Sequence, residues 1–277
     1  MTMKIFETIA GLRAGINDAG RVVLVPTMGN LHDGHIALMR HARDHGDTVL
    51  VSIFVNRLQF RPGEDFEKYP RTFAADCKRL TEANVDFLFF PDEKEMYPTP
   101  QKYFVEPPAE LINILEGEFR PGHFRGVATV VQKLFNIVQP KVAIFGKKDY
   151  QQMLVLSNMA RDLALPIEII AADTVRAGDG LALSSRNGFL SPQERTEAPR
   201  LYRSLETVRS AIQAGNHDFA RLENQAMAEL RAHGWIPDYI AVREKTGLQL
   251  PTAHDSRLVI LGAALLGSTR LIDNLEV

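Results

Sequence analysis

The sequence predicts an α/β fold, a doubly wound parallel sheet followed by a smaller α+β domain, with the division at residue 176. Three observations carry this. Five short apolar runs rich in β-branched and aromatic residues, at 22–25, 48–55, 85–90, 142–145 and 167–171, have the unbroken character of strands buried on both faces. Segments of helical periodicity separate them, and that alternation asks for right-handed βαβ units. Past Val175 the alternation stops, and two long helical patterns precede three short strands. The expected domains are therefore 1–176 and 177–277.

Taken in order, Phe6, Ile9, Leu12 and Ile16 follow helical spacing and predict an amphipathic helix ending near Gly20. The strand at 22–25 is closed by Pro26. Gly29 allows a positive φ or a close backbone approach, and Asp33 and Gly34 open a helix running through Ile36, Met39 and Ala42 to Gly46. His32 and His35 then share the first turn. A helix start offers unpaired N–H groups and the positive end of the dipole, a setting for phosphate. Two surface histidines on an amphipathic helix are also ordinary, so spacing alone leaves both readings open. Zinc is disfavoured: two histidines are too few, no HExxH is present, and the single Cys77 lies far away.

The strand at 48–55 runs into Asn56, Arg57, Leu58, Gln59 and Phe60, a polar loop at a strand's carboxyl end, where open α/β sheets bind ligands. Asn56 and Gln59 read either as plain loop residues or as neutral amides suited to the hydroxyl and carboxylate of a small acid. A helix is expected over 72–84 with Phe73, Ala74, Cys77 and Leu80 inward, then the strand at 85–90 and a short strand at 103–105. Residues 120–126 introduce a helix at 127–138, ended by Pro140. After the strand at 142–145, Gly146, Lys147, Lys148 and Asp149 lead into another helix. The lysines are either a solvated pair or phosphate partners beside a helix start. No GxGxxG follows the first strand, which argues against a dinucleotide site.

Residues 178–187 form a loop with two hydroxyls and a cation. Ser191, Pro192 and Glu194 have the form of a capping box with proline at the first helical position. Helices are expected at 192–213 and 218–233, and strands at 239–243, 258–261 and 269–272.

Bulk properties narrow the function classes. With 277 residues and 45% hydrophobic content the chain can bury substantial cores. A net charge of −2 and a pI near 6.5 give no broad polyanion surface, so no nucleic-acid partner is expected. One cysteine suits a reducing cytoplasm, and neither a signal peptide nor a membrane span is seen.

Residues 27–35, Thr-Met-Gly-Asn-Leu-His-Asp-Gly-His, resemble the HxGH element of nucleotidyltransferases and class I aminoacyl-tRNA synthetases. Five stretches in chain order, PTMGNLHDGH, SIFVNxxQF, RPGHFRGV, FGxKDxQQ and DGLALSSRN, are together similar to the pantoate-β-alanine ligase family. The resemblance implies a Rossmann-like nucleotidyltransferase domain, a C-terminal lid domain, a homodimer, and ATP with Mg²⁺. It implies a reaction in which pantoate and ATP give pantoyl adenylate and pyrophosphate, after which β-alanine displaces AMP.

By motif, ATP falls to Met28, Gly29, Asn30, Leu31, His32, Asp33, Gly34 and His35, to Gly146, Lys147, Lys148 and Asp149, and to Val175, Leu183, Ser184, Ser185 and Arg186. His35, His32, Lys148 and Arg186 are the implied catalytic groups, with His35 as proton donor. Gln59 and Gln152 would hold pantoate, and Gln59 β-alanine as well. The metal ligands stay open, Asp76 and Asp149 being candidates. Two positions depart from the family pattern: Arg57 stands where proline is usual, and Lys147 where glutamate is common. A nucleotidyltransferase acting on a phosphorylated acceptor would need cations where Gln59 and Gln152 stand. A nucleotide-binding module without catalysis would not need all four charged groups.

Overall fold

The computed structural model describes residues 3–61, 63–64, 66–252 and 254–277. It comprises two compact units, one of residues up to Gly146 with Val155–Ala172, the other of Lys147–Leu154 with Asp173–Val277. The first contains β1 (Lys4–Phe6), α1 (Ile9–Gly15), β2 (Val22–Thr27), α2 (Asp33–Arg43), β3 (Thr48–Ile53), α3 (Phe73–Glu82) and β4 (Phe87–Phe89). Three short helices follow, α4 (Glu93–Met96), α5 (Ala109–Ile112) and α6 (Glu116–Phe119), then α7 (His123–Val138), β5 (Val142–Gly146), most of α8 (Tyr150–Asp162) and β6 (Glu168–Ala172).

All six strands are parallel, in the order β1-β4-β3-β2-β5-β6. This is the Rossmann-like doubly wound sheet. The chain reverses its direction of winding between β2 and β5, and such a switch point opens a crevice at the strands' carboxyl ends. Val23 and Val25 of β2 and Val49 and Val51 of β3 pack against Ile36 and Met39 of α2 and Leu80 of α3, forming one core cluster.

β2 does not stop at Pro26 as expected. It pairs with β3 as far as Thr27, whereas its pairing with β5 is confined to Val23 and Leu24. The Thr27 carbonyl accepts from Phe54 on the β3 side, so position 26 faces β5, from which β2 has already parted. A residue without an N–H is tolerated there.

Other expectations need correction. The N-terminal segment begins with β1, three residues that add an edge strand beside β4, before the helix starts. The buried positions of α3 are Asp76 and Leu80. Phe73 lies at the surface stacked on Phe90, Ala74 is exposed and Cys77 is half-buried, because the Asp76 carboxylate is drawn inward by backbone donors. Residues 103–105 form no strand.

The second unit holds α9 (Pro192–Glu197), α10 (Arg200–Gln213) and α11 (Phe219–Ala232) with an antiparallel sheet β7-β8-β9 (Trp235–Glu244, Leu258–Leu266, Thr269–Glu276). The helix expected at 192–213 is broken, since Pro199 cannot extend the hydrogen-bond ladder of α9 and instead caps α10. β8 outruns its expected end at Leu261 because Gly262 and two alanines, poor strand formers in isolation, are buried between neighbours on both sides. Leu201, Leu205 and Leu230 close this core against Trp235, Val242 and Ile260. No helix among the described residues is long and apolar enough to cross a membrane.

Candidate active site

The turn between β2 and α2 is set by two consecutive residues of positive φ, Gly29 (+84°) and Asn30 (+50°). A Cβ on Gly29 would stand 3.1 Å from Ile53 and 3.2 Å from the Asp76 carboxylate, so strain and space both call for glycine. Asp76, 2% exposed, accepts from the N–H groups of Asn30 at 3.0 Å and Leu31 at 2.8 Å and from the Thr72 hydroxyl at 3.1 Å. The carboxylate thus holds the two N–H groups of the turn just ahead of the helix.

Histidine fills both roles of the capping box on α2. His32 Nδ1 accepts from Gly34 N at 3.2 Å, and His35 Nδ1 accepts from His32 N at 3.3 Å. With Nδ1 the acceptor in each ring, the neutral tautomer carries its proton on Nε2. The rings lie 4.0 Å apart, so the turn presents two adjacent imidazole N–H donors.

After β3 the chain makes a 3-10 turn, Arg57–Gln59, docked on α7. The Gln59 side chain, 8% exposed, is held from two directions: Asn56 Nδ2 donates to its Oε1 at 3.1 Å, and its Nε2 donates to Met28 Sδ at 3.1 Å. Asn56 is itself fixed by the Tyr97 hydroxyl at 2.7 Å and donates to the Gly126 carbonyl at 3.2 Å. Buried polar groups satisfied in this way hold the Gln59 amide rigidly.

Residues 120–126 support that turn from below. His123 Nδ1 donates to the Gln59 carbonyl at 2.9 Å, and Arg120 reaches the same oxygen at 3.4 Å while pairing with Glu64 at 3.0 Å. Burial, with the Arg120 charge added, pushes the His123 imidazole down to about 4, so it is neutral at physiological pH. Its Nε2 lies 3.3 Å from an Arg120 N–H, which donates to it. Burial alone would raise Glu64, but Arg120 and Arg61 hold it at about 2.

In the second unit, Lys148, Ser184, Arg186 and Asn187 line one recess open to solvent, with Arg270 and Asp273 on its wall. Ser184 caps the 3-10 turn Ser185–Phe189 by accepting from Arg186 N at 3.2 Å. The turn follows a narrow hairpin, in which Leu183 donates to the Val175 carbonyl at 3.0 Å and Arg176 bridges Ala182. Arg176 forks onto Asp273 at 2.6 and 2.9 Å, donates to the Gly180 and Asn274 carbonyls, and lies 4.2 Å over the Tyr202 ring. Burial drives the Asp273 carboxyl upward, and the Arg176 fork opposes it.

The family profile described as pantoate-beta-alanine ligase matches residues 4–276. The chain belongs to that family. As a pantoate-β-alanine ligase it joins pantoate to β-alanine in the pathway to pantothenate. A pantothenate synthetase of Chromobacterium violaceum is 58% identical over 275 residues, 99% of each chain. The crystal structure of pantothenate synthetase from Thermus thermophilus matches with a TM-score of 0.94 at 45% identity, over 99% of both chains. The Francisella tularensis pantoate-β-alanine ligase, solved with beta-gamma ATP and β-alanine, matches with a TM-score of 0.84 at 36% identity over 99% of this chain and 97% of that one.

Among the implied site residues of this ligase, Met28, His32, His35 and Gln59 stand in the first unit, Gln59 touching Met28. Lys148, Ser184 and Arg186 share the recess of the second. Gln152, half-buried on the first turn of α8, belongs to the 147–154 segment that also goes with the second unit. The two departures from the family pattern are absorbed locally. Arg57 bonds Glu93 at 3.0 Å and Glu67 at 3.4 Å and lies 4.0 Å over the Phe66 ring. Lys147 pairs with Asp173 at 2.7 Å and Glu276 at 3.1 Å, so its cation is neutralised. Sequence reasoning missed Arg176 and the loop-bracing role of Asp76. For Arg120, His123 and Gly126 the signal was the RPGHFRGV stretch, whose role only the contacts reveal.

Proposed function

We propose that the ligation runs in two steps, with pantoate carboxylate attacking the α-phosphorus of ATP to release pyrophosphate, and the β-alanine amine then attacking the acyl carbon to release AMP. The observation that carries this reading is the neutral, fully braced amide at Gln59. It offers a donor and an acceptor without charge, which suits an unphosphorylated hydroxy acid and disfavours a phosphorylated acceptor.

In this reading His32 and His35 donate Nε2–H to phosphate oxygens as charge shifts onto the pyrophosphate, His35 being the proton donor. Lys148 and Arg186 supply the fixed cations. Such a reaction needs positioning and charge stabilisation more than covalent participation. Gln59 and Gln152 orient pantoate, and Gln59 afterwards β-alanine. The second unit acts as the lid that keeps water from the acyl adenylate.

Among the described residues no three His, Cys, Asp or Glu side chains gather as a metal cage. Asp76 is spent on backbone donors, and Asp149, half-exposed and 3.8 Å from Lys148, is the remaining candidate carboxylate. That fits Mg²⁺ arriving on the phosphates of ATP, where it offsets their charge. We further assign the chain to the cytoplasm as a homodimer, in keeping with its family resemblance and its single cysteine.

Pyrophosphate release measured with pantoate and ATP, with and without β-alanine, tests the scheme. Release without β-alanine, limited to about one equivalent per site and becoming continuous when β-alanine is added, is the expected result. No release until β-alanine is present would refute the adenylate route.

A further inference from the structure

We propose that Asp273 and Asn274, neighbours on β9, are positioning residues for adenylation that set the Lys148 turn and the Ser184 to Arg186 loop in one frame. The proposal rests on the reading that Lys148 and Arg186 meet the nucleotide.

Asn274 is 5% exposed, and its Nδ2 donates both hydrogens, to the Lys147 carbonyl at 2.8 Å and the Lys148 carbonyl at 2.9 Å. Those carbonyls belong to the peptide planes on either side of Lys148. Pinning both planes fixes the φ and ψ of Lys148, and with them the direction in which its Cα–Cβ bond leaves the backbone. On the other side, Asp273 takes the two-pronged Arg176 guanidinium, which also ties the Gly180 carbonyl within the 175–183 hairpin, and the Ser184 to Arg186 turn that leaves this hairpin is tied back to it by Asn187, whose Nδ2 donates to the Ala182 carbonyl at 3.0 Å.

The two anchors are adjacent residues on an edge strand, so the loops are referenced to points about 3.8 Å apart on one rigid element. A buried amide and a buried carboxylate are costly to place in a strand that apolar residues would stabilise as well. Their hydrogen bonds run to the Lys148 turn and to the hairpin that leads into the Arg186 turn.

The test is a pair of double-mutant cycles read by pyrophosphate release. Asn274→Asp places an acceptor against two carbonyls and should lower kcat/KM for ATP about tenfold to a hundredfold, the scale of an ångström of misplacement. In a Lys148→Ala background it should cost less than about twofold, because its route of action is gone. Asp273→Asn with Arg186→Ala should behave likewise, and in every case KM for pantoate should stay near wild type. Should Asn274→Asp fail to fold, judged by its melting curve, Asn274→Ser takes its place in the cycle.

Equal costs in both backgrounds, or a rise in pantoate KM matching that for ATP, would make these residues merely structural and overturn the inference. A silent Lys148→Ala would be distinguishable, since the assignment of Lys148 itself would then fall and take the inference with it.

Discussion

Gly126 offers the sharpest test of the proposal that Gln59 holds pantoate. It lies in α7 under the Gln59 turn, and a Cβ there would fall 2.2 Å from the Leu58 oxygen, 2.4 Å from its carbonyl carbon and 2.7 Å from the Gln59 Cα. These are backbone atoms, so no side-chain rotation relieves the clash. In Gly126→Ala the turn must retreat by about 1 Å to reach ordinary contact, stretching the Asn56 bond to the Gly126 carbonyl, now 3.2 Å. Overpacking of this kind costs about 1–3 kcal/mol. Helix propensity works the other way, alanine being favoured over glycine by up to about 1 kcal/mol, so the net loss of stability should be modest. With Gln59 in its proposed role, an ångström at its amide should cost about a hundredfold in kcat/KM for pantoate. ATP binding, followed by calorimetry without pantoate, should hold within about threefold, because the histidine turn has its own brace in Asp76. A folded Gly126→Ala enzyme with wild-type pantoate kinetics would refute the claim that the close approach of α7 places Gln59.

Four other outcomes are expected. His35→Ala should lower kcat for adenylation about a hundredfold to a thousandfold by loss of one transition-state donor, and near-normal pyrophosphate release would remove it from the chemistry. Lys148→Ala should impair adenylation while attack of β-alanine on preformed pantoyl adenylate is much less affected, since pyrophosphate has left by then; equal losses would indicate a general defect. Arg57→Pro should leave ATP KM unchanged: Asn56, at φ −85° and ψ 108°, already has a conformation that accepts a following proline, and the pairs lost are exposed. Melting of the parent should consequently be more salt-sensitive than that of the variant. Finally, His123 has its folded pKa lowered from 6.5 to about 4, so as pH falls through that window the unfolded chain takes a proton the folded chain refuses. Stability should therefore be lost by up to about 1.4 kcal/mol per pH unit. Glu64, held at about 2 against an ordinary 4.5, adds a loss at lower pH. Denaturant midpoints from pH 7 to 4 should flatten in His123→Asn; an unchanged slope would show that His123 titrates normally.

The parallel sheet was legible because Val, Leu and Ile in β2, β3 and β5 are buried on both faces, and such strands advertise themselves as solid apolar runs. β1 was hidden for the opposite reason. Its three residues are largely exposed at an edge, and its Phe6 also fits the helical spacing that follows. Within the candidate site, the positions of His32, His35 and Lys148 were readable since each sits just after a strand at a helix entrance. Asp76 was not, because its task depends on donors 45 and 46 residues away, and helical periodicity assigned its neighbours to the core instead. Gln59 was legible as a residue and illegible as a geometry. Its placement depends on Gly126 and His123, 67 and 64 positions downstream, which no local pattern connects to it.

The carboxylate beneath the histidine turn has a bearing on the energetics of catalysis. A loop that waited for a nucleotide to complete it would spend part of each binding event on ordering its own backbone. Here the Asp76 carboxylate stands where such a loop would otherwise need its ligand, and it holds the Asn30 and Leu31 N–H groups of the turn that carries His32 and His35 without any nucleotide. Binding energy from the triphosphate is then free to act on the reacting atoms, and departure of pyrophosphate need not unmake the surface that the next ATP will meet.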